Sequence, residues 1–119
     1  MKINNSTPTI NIETFDELLS ILEDDFYDLL KDFINDTPAQ LSQLDSAIKL
    51  TDFKKIFAIS HAQCGATGNI GLEKFHVICR NLCTQAKEEN IQECIILTNA
   101  LFDNFEECKK QLTEKINNH

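Results

Sequence analysis

The sequence predicts an all-α chain, an up-and-down antiparallel four-helix bundle with a short helix at its N-terminal end. Three observations carry that expectation. Glycine and proline number 3 and 2 in 119 residues, whereas a β-rich domain scatters turn-forming residues throughout. Apolar residues recur three and four apart along nearly the whole chain, the period of a helix with one buried face. Short polar gaps join these amphipathic stretches, and short connections place consecutive helices side by side and antiparallel. Ile, Leu, Val and Phe make up 36 of the 119 residues, well above the ~20% below which a charged chain stays unfolded. A packed core is therefore within reach.

Residues 1–12 read as a polar leader, 13–116 as one helical domain and 117–119 as a tail. Thr14-Phe15-Asp16-Glu17 is a capping box, so the first helix is expected to start at Thr14 and to carry Leu18, Leu19 and Leu22. A second stripe through Phe26, Leu30, Phe33, Thr37, Leu41, Leu44 and Ile48 keeps its phase across Pro38. One long helix bent at the proline is expected, with a break at Thr37 as the alternative. Asp52 caps a third helix from Phe53 to about Ile70, and a fourth runs from about Leu72 to Glu88. The last carries Ile91, Ile95, Leu97, Ala100, Leu101, Phe105 and Leu112 and ends near Ile116.

The formal net charge is −8. An acidic surface repels phosphate backbones and anionic lipids, which argues against nucleic-acid and membrane-surface binding. No apolar run approaches the ~18 residues of a membrane span, and MKINNSTPTINIE lacks the apolar stretch of a signal peptide. A cytoplasmic protein is expected. Five cysteines, Cys64, Cys79, Cys83, Cys94 and Cys108, form an odd set without a C-x-x-C pair, the pattern of free thiols in a reducing compartment. His76, Cys79 and Cys83 share a helical face, but structural zinc wants four ligands and no fourth is in view. No metal site is expected.

The stretch DFKKIFAISHAQCGATGNIG, from Asp52 to Gly71, is the informative one. At about 100° per residue, Ile56, Ile59, Ala66 and Ile70 form its core side and His61 points the opposite way. Lys54, Phe57, Cys64, Gly65 and Gly68 lie within about 60° of His61 on that wheel. Two glycines inside a helix cost on the order of 1 kcal/mol each relative to alanine. Placed beside an outward histidine, they leave the imidazole open to something as large as another protein's active site, and an exposed Phe57 would suit an apolar docking contact. Close helix packing is the other use of such glycines. His76 lies beside the core stripe with no evident partner, and His119 is terminal.

These residues resemble the signature of the histidine-containing phosphotransfer (HPt) family of phosphorelays, a histidine followed by x-x-Lys-Gly, two small residues and then an apolar-Gly pair. Here the match reads His61-Ala62-Gln63-Cys64-Gly65-Ala66-Thr67 and then Ile70-Gly71. Phe33 with Pro38, Leu41, Leu44 and Ala47 is similar to the family's second helix, and Leu72, Phe75, Cys79 and Leu82 to its fourth. There are two departures: Cys64 stands where the family has lysine, and Gln63, on the buried side, where it has an apolar residue.

The resemblance implies an HPt-like bundle displaying His61 as phosphoacceptor, with Cys64, Gly65 and Gly68 around the phosphoryl group. Partner contacts would fall on Lys54, Phe57, Cys64, Gly65 and Gly68. The partners would be response-regulator receiver domains and a hybrid sensor histidine kinase. The chain would act as a monomeric, stoichiometric phosphocarrier, with no cofactor of its own and Mg2+ on the receiver. It shows no Gly-rich nucleotide loop and no room for an ATP-binding domain, so autonomous kinase activity is not expected. Two alternatives stand beside this reading: a degenerate module that docks receivers without passing phosphate, and a helical adaptor regulated through its thiols.

Overall fold

The computed structural model describes residues 7–118, and every regular element among them is helical. Five helices follow in order: α1 (Ile12–Leu22), α2 (Asp24–Lys49), α3 (Phe53–Gly68), α4 (Glu73–Lys87) and α5 (Ile91–Asn117). Helix α2 packs on α3 and α5, and α4 packs on the same two, so the four longer helices close a ring, while α1 lies against α2. Phe33 fills the middle, edge-to-face with Phe75 at 5.3 Å and tilted against Phe105 at 5.7 Å. Such aromatic pairs add about 0.5–1.5 kcal/mol beyond the area they bury.

The first helix starts earlier than the capping box suggests. Asn11 is the N-cap, its Oδ1 accepting from the Thr14 amide at 3.1 Å. Thr14 therefore sits inside the first turn. Asparagine outranks threonine as a cap, and starting here also lets Ile10, immediately ahead of the cap, be buried. Part of the polar leader is tied down: the Asn11 amide donates to the Gly71 carbonyl at 2.9 Å, and the Pro8 carbonyl accepts from the Lys74 amide at 3.1 Å. Helix α4 has no side-chain cap at Leu72, so the Pro8 carbonyl satisfies one of its free N–H groups. Gly71, at φ +80°, makes the turn between α3 and α4, a conformation that L side chains resist. Residues 1–6 of the leader and His119 lie outside the described residues.

Helix α2 runs unbroken through Pro38 and does not restart at Thr37. Pro38 is exposed, so its ring faces outward and the helix forgoes one internal hydrogen bond there. At both α2–α3 and α4–α5 the chain turns in the same way. Thr51 (φ 52°) and Glu89 (φ 53°) occupy the left-handed region just past the helix end. The next amides, of Asp52 and Asn90, reach back to the Ala47 and Gln85 carbonyls at 2.9 and 3.0 Å, the Schellman closure. Asp52 and Asn90 then cap the following helices, accepting from the Lys55 and Glu93 amides at 3.1 and 3.2 Å. One residue thus ends one helix and begins the next.

The buried face of α3 is rotated from the expected one. Ile56, Ser60, Gln63 and Thr67 are buried, Ile59 is half-buried and Ala66 is exposed. The wheel weighs side chains by hydrophobicity, but Ser60 and Thr67 satisfy their own hydroxyls by donating to the Ile56 and Gln63 carbonyls at 2.8 and 2.7 Å. Hydroxyls bonded back to the helix can be buried without an outside partner. Helix α5 shows a smaller shift: Ile95 is partly exposed, and Cys94, Thr98 and Cys108 are buried instead.

Candidate functional site

His61 sits near the middle of α3 and is exposed, on the outward side of the helix as the sequence predicts. The Phe57 ring, one turn earlier, stacks on its imidazole, with centroids 5.4 Å apart and planes 23° off parallel. Phe57 is half-buried rather than exposed, because α4 covers part of it: Lys87 Nζ lies 5.0 Å from the ring centroid. Phe57, His61 and Cys64 form one wall of a cleft of about 210 Å³, and Arg80, Cys83, Thr84 and Lys87 of α4 form the other. Among the described residues no side chain hydrogen-bonds to His61, so its ring nitrogens are available to an incoming group.

The two glycines beside His61 do different jobs. A Cβ on Gly65 would meet nothing within 4 Å, so the helix surface next to the imidazole is open. A Cβ on Gly68 would come within 2.9 Å of His76 Cε1. Gly68 therefore serves helix packing, and Gly65 alone leaves the approach clear. Lys54 is exposed on α3 but is not part of the cleft wall.

His76, which has no evident partner in the sequence, is held on both sides. Arg80 Nη2 lies 3.1 Å from its Nε2 and the Cys64 carbonyl 2.8 Å from its Nδ1. A guanidinium can only donate and a carbonyl can only accept. The arrangement therefore requires Nε2 to accept from Arg80 and Nδ1–H to donate to Cys64, with the Cys64 thiol 3.6 Å from the same nitrogen. His76 is a strut between α3 and α4.

The remaining thiols are poor nucleophiles. Burial pushes the Cys79, Cys83 and Cys94 thiols upward and that of Cys108 to about 12. Cys83 Sγ lies 3.2 Å from Ser60 Oγ, which lowers its pKa in partial compensation. No group of three potential metal ligands gathers among the described residues, and no described helix is long and apolar enough to cross a membrane.

On its other side α3 faces α2 across a larger groove, about 480 Å³, whose lining mixes apolar or small residues such as Leu29, Phe33, Ala62 and Ala66 with polar ones such as Gln40 and Asn69. This groove is why Ala66 is exposed rather than packed. Its charged lining residues are Asp32 and Asp36, whereas those of the His61 cleft are Arg80 and Lys87. The α2 side of the histidine helix is acidic and the α4 side basic. Nothing in the one-dimensional pattern brought Arg80 or Lys87 to the site. The available signal was an arginine seven residues before a lysine on the helix following the histidine, two turns apart on one face.

The Hpt domain family model matches residues 28–116, a span that holds α3, α4 and nearly all of α2 and α5. The chain belongs to the Hpt domain family. This Hpt domain has a fold similar to the crystal structure of histidine-containing phosphotransfer protein B (HptB) from Pseudomonas aeruginosa PAO1. The TM-score is 0.89 at 20% sequence identity, covering 96% of this chain and 99% of that one. At that identity the likeness speaks for the fold. No curated protein matches the chain significantly in sequence.

Proposed function

We propose that this Hpt domain is a stoichiometric phosphocarrier, taking a phosphoryl group on His61 from the aspartyl phosphate of one receiver domain and passing it to the aspartate of another. The observation that carries the reading is the His61 cleft. An exposed, stacked imidazole has open helix surface on one side and two cations across from it. A neutral imidazole is nucleophilic near pH 7. The lone pair of its unprotonated nitrogen forms the N–P bond as the P–O bond to the aspartyl carboxylate breaks, and the electron pair leaves with the carboxylate. The reverse transfer regenerates free His61. Such chemistry is mainly alignment and charge neutralisation, so the carrier needs no cofactor of its own while Mg2+ acts on the receiver. Within the same proposal the four longer helices form an up-and-down antiparallel bundle. The chain works as a cytoplasmic monomer between a hybrid sensor kinase and a response regulator, and Phe57 and Gly65 meet the receiver.

Incubation with a radiolabelled phosphoreceiver tests this. Wild type should gain acid-labile, base-stable label, and His61→Gln should keep the helical fold while gaining none. Label retained in His61→Gln refutes the assignment. Binding of receivers without label would favour the docking-only module, which the absence of lysine at Cys64 motivates. The thiol-adaptor alternative is disfavoured by the burial that raises four of the five thiols.

A further inference from the structure

The departure at Cys64 poses a charge problem. A phosphoryl group on His61 brings about two negative charges, and the family pattern supplies a lysine one turn away where this chain has a thiol. The chain is acidic overall, with 19 carboxylate side chains against 11 basic ones, yet no carboxylate lines the His61 cleft and its charged walls are Arg80 and Lys87. Arg80 is the one arginine of the sequence. Among the described residues the ion pair present is Lys49–Asp45, far along the sequence from the cleft, so neither cation is neutralised by a carboxylate. Both are nevertheless positioned. Lys87 lies over the Phe57 ring that stacks on His61. Arg80 is anchored by one hydrogen bond to His76, which leaves most of its five N–H donors free.

We propose that Arg80 and Lys87, reaching across from α4, bind the phosphoryl oxygens of phosphorylated His61 and supply the neutralisation that Cys64 cannot. The proposal rests on the phosphocarrier reading. It places the phosphoryl group on the basic side of α3 and makes the acidic α2 side the rim it avoids. Arg80 suits phosphate because its planar fork can present two parallel N–H groups. Lys87 acts as a point charge. The His76 strut sets where Arg80 can reach, and Gly68 gives the strut its room.

The test uses phosphoramidate, a small donor that needs no receiver, and reads the equilibrium fraction of phosphohistidine by phosphorus NMR at fixed donor and ammonia concentrations. Exposed charge pairs are individually worth up to about fivefold. Arg80→Gln/Lys87→Gln should lower the ratio of phosphorylated to free His61 by about fivefold at low salt. The deficit should shrink below about twofold near 1 M salt, where the Debye length is about 3 Å. Lys87→Arg should keep the wild-type ratio. Cys64→Lys placed in the double variant should restore it, and Lys109→Gln, which removes a charge from α5, should leave it unchanged. If wild type takes up phosphate and the double variant matches it at low salt, the α4 cations are irrelevant while the carrier reading stands. An equal loss in Lys109→Gln would likewise overturn the local role and point to net charge. If wild type takes up no phosphate, the carrier reading itself fails and the proposal with it.

Discussion

Gly65 and Gly68 lie one turn apart on the same helix face, and the structure gives them opposite reasons to be glycine, so alanine at each should act in opposite directions. At Gly65 the added methyl meets nothing within 4 Å. The helix should gain most of the ~1 kcal/mol by which alanine exceeds glycine in a helix interior. For a domain of this size that is about 3–5 °C in Tm. At Gly68 the methyl arrives 2.9 Å from His76 Cε1 and 3.0 Å from Nδ1. The ring must retreat against bonds of 2.8 Å to the Cys64 carbonyl and 3.1 Å to Arg80. Loosening them costs about 0.5–1.5 kcal/mol each, and at the last residue of α3 the propensity gain is smaller. Gly68→Ala should therefore fall about 1–3 kcal/mol below Gly65→Ala. Gly65→Leu completes the experiment: it should melt no lower than wild type and yet fail to exchange phosphate with a receiver, because the larger side chain fills the approach to His61. Thermal melts read by circular dichroism, run beside a transfer assay, decide the matter. Gly68→Ala melting at or above Gly65→Ala would refute the packing role of Gly68, and wild-type transfer by Gly65→Leu would mean that receivers approach over another face.

Two further expectations concern stability. Thr51 is β-branched and sits at φ 52°, which costs roughly 1–2 kcal/mol, so Thr51→Gly should raise stability by about 0.5–1 kcal/mol after the entropy of a freer unfolded chain is counted; an unchanged or lower urea midpoint would show the turn to be unstrained. The buried thiols make folding sensitive to alkali. Cys108 is held at about 12, and Cys79, Cys83 and Cys94 are also raised, all mainly by burial, so the native state keeps protons that the unfolded chain releases. Their contribution is fully present below the unfolded thiol pKa of 9.0 and is lost as pH rises from there toward about 12. Urea midpoints should fall across that window, with a shallower slope in Cys108→Ala; identical slopes would refute the assignment to Cys108.

The parts of this fold legible in the sequence were those governed by periodicity and by punctuation. The stripes of α2 and α4 and the outward direction of His61 follow from spacing, since 100° per residue fixes which positions share a face, and the Asp52 cap follows from the residue type. Misread positions had competing local chemistry. Thr14 offered a capping box, but Asn11 is the stronger cap and brings Ile10 into the core. Ala66 scored as core because alanine is apolar, whereas the side of α3 it faces is a groove. Ser60, Gln63 and Thr67 took the buried positions, the two hydroxyls satisfied within their own helix. At the site, the residues contributed by α3 could be read from the sequence. Those contributed by α4 could not, because which turn of one helix faces a given turn of its neighbour depends on the loop between them.

That loop also explains why a chain without the usual lysine can keep a basic site. The turn at Gly71, held by the Asn11 amide on its carbonyl and followed by the Pro8 carbonyl on the Lys74 amide, joins α3 to α4. The His76 strut then ties Cys64 of α3 to Arg80 of α4. A cation on the histidine's own helix needs no such registration, since one helical turn places it. A cation on the neighbouring helix does, because where Arg80 and Lys87 stand relative to the imidazole is set by how far α4 is slid along α3, one helical turn being about 5.4 Å. The backbone lock at Gly71, the space left by Gly68 and the two hydrogen bonds of His76 are therefore parts of one device. They make the electrostatics of His61 a property of how two helices pack rather than of one helix's sequence.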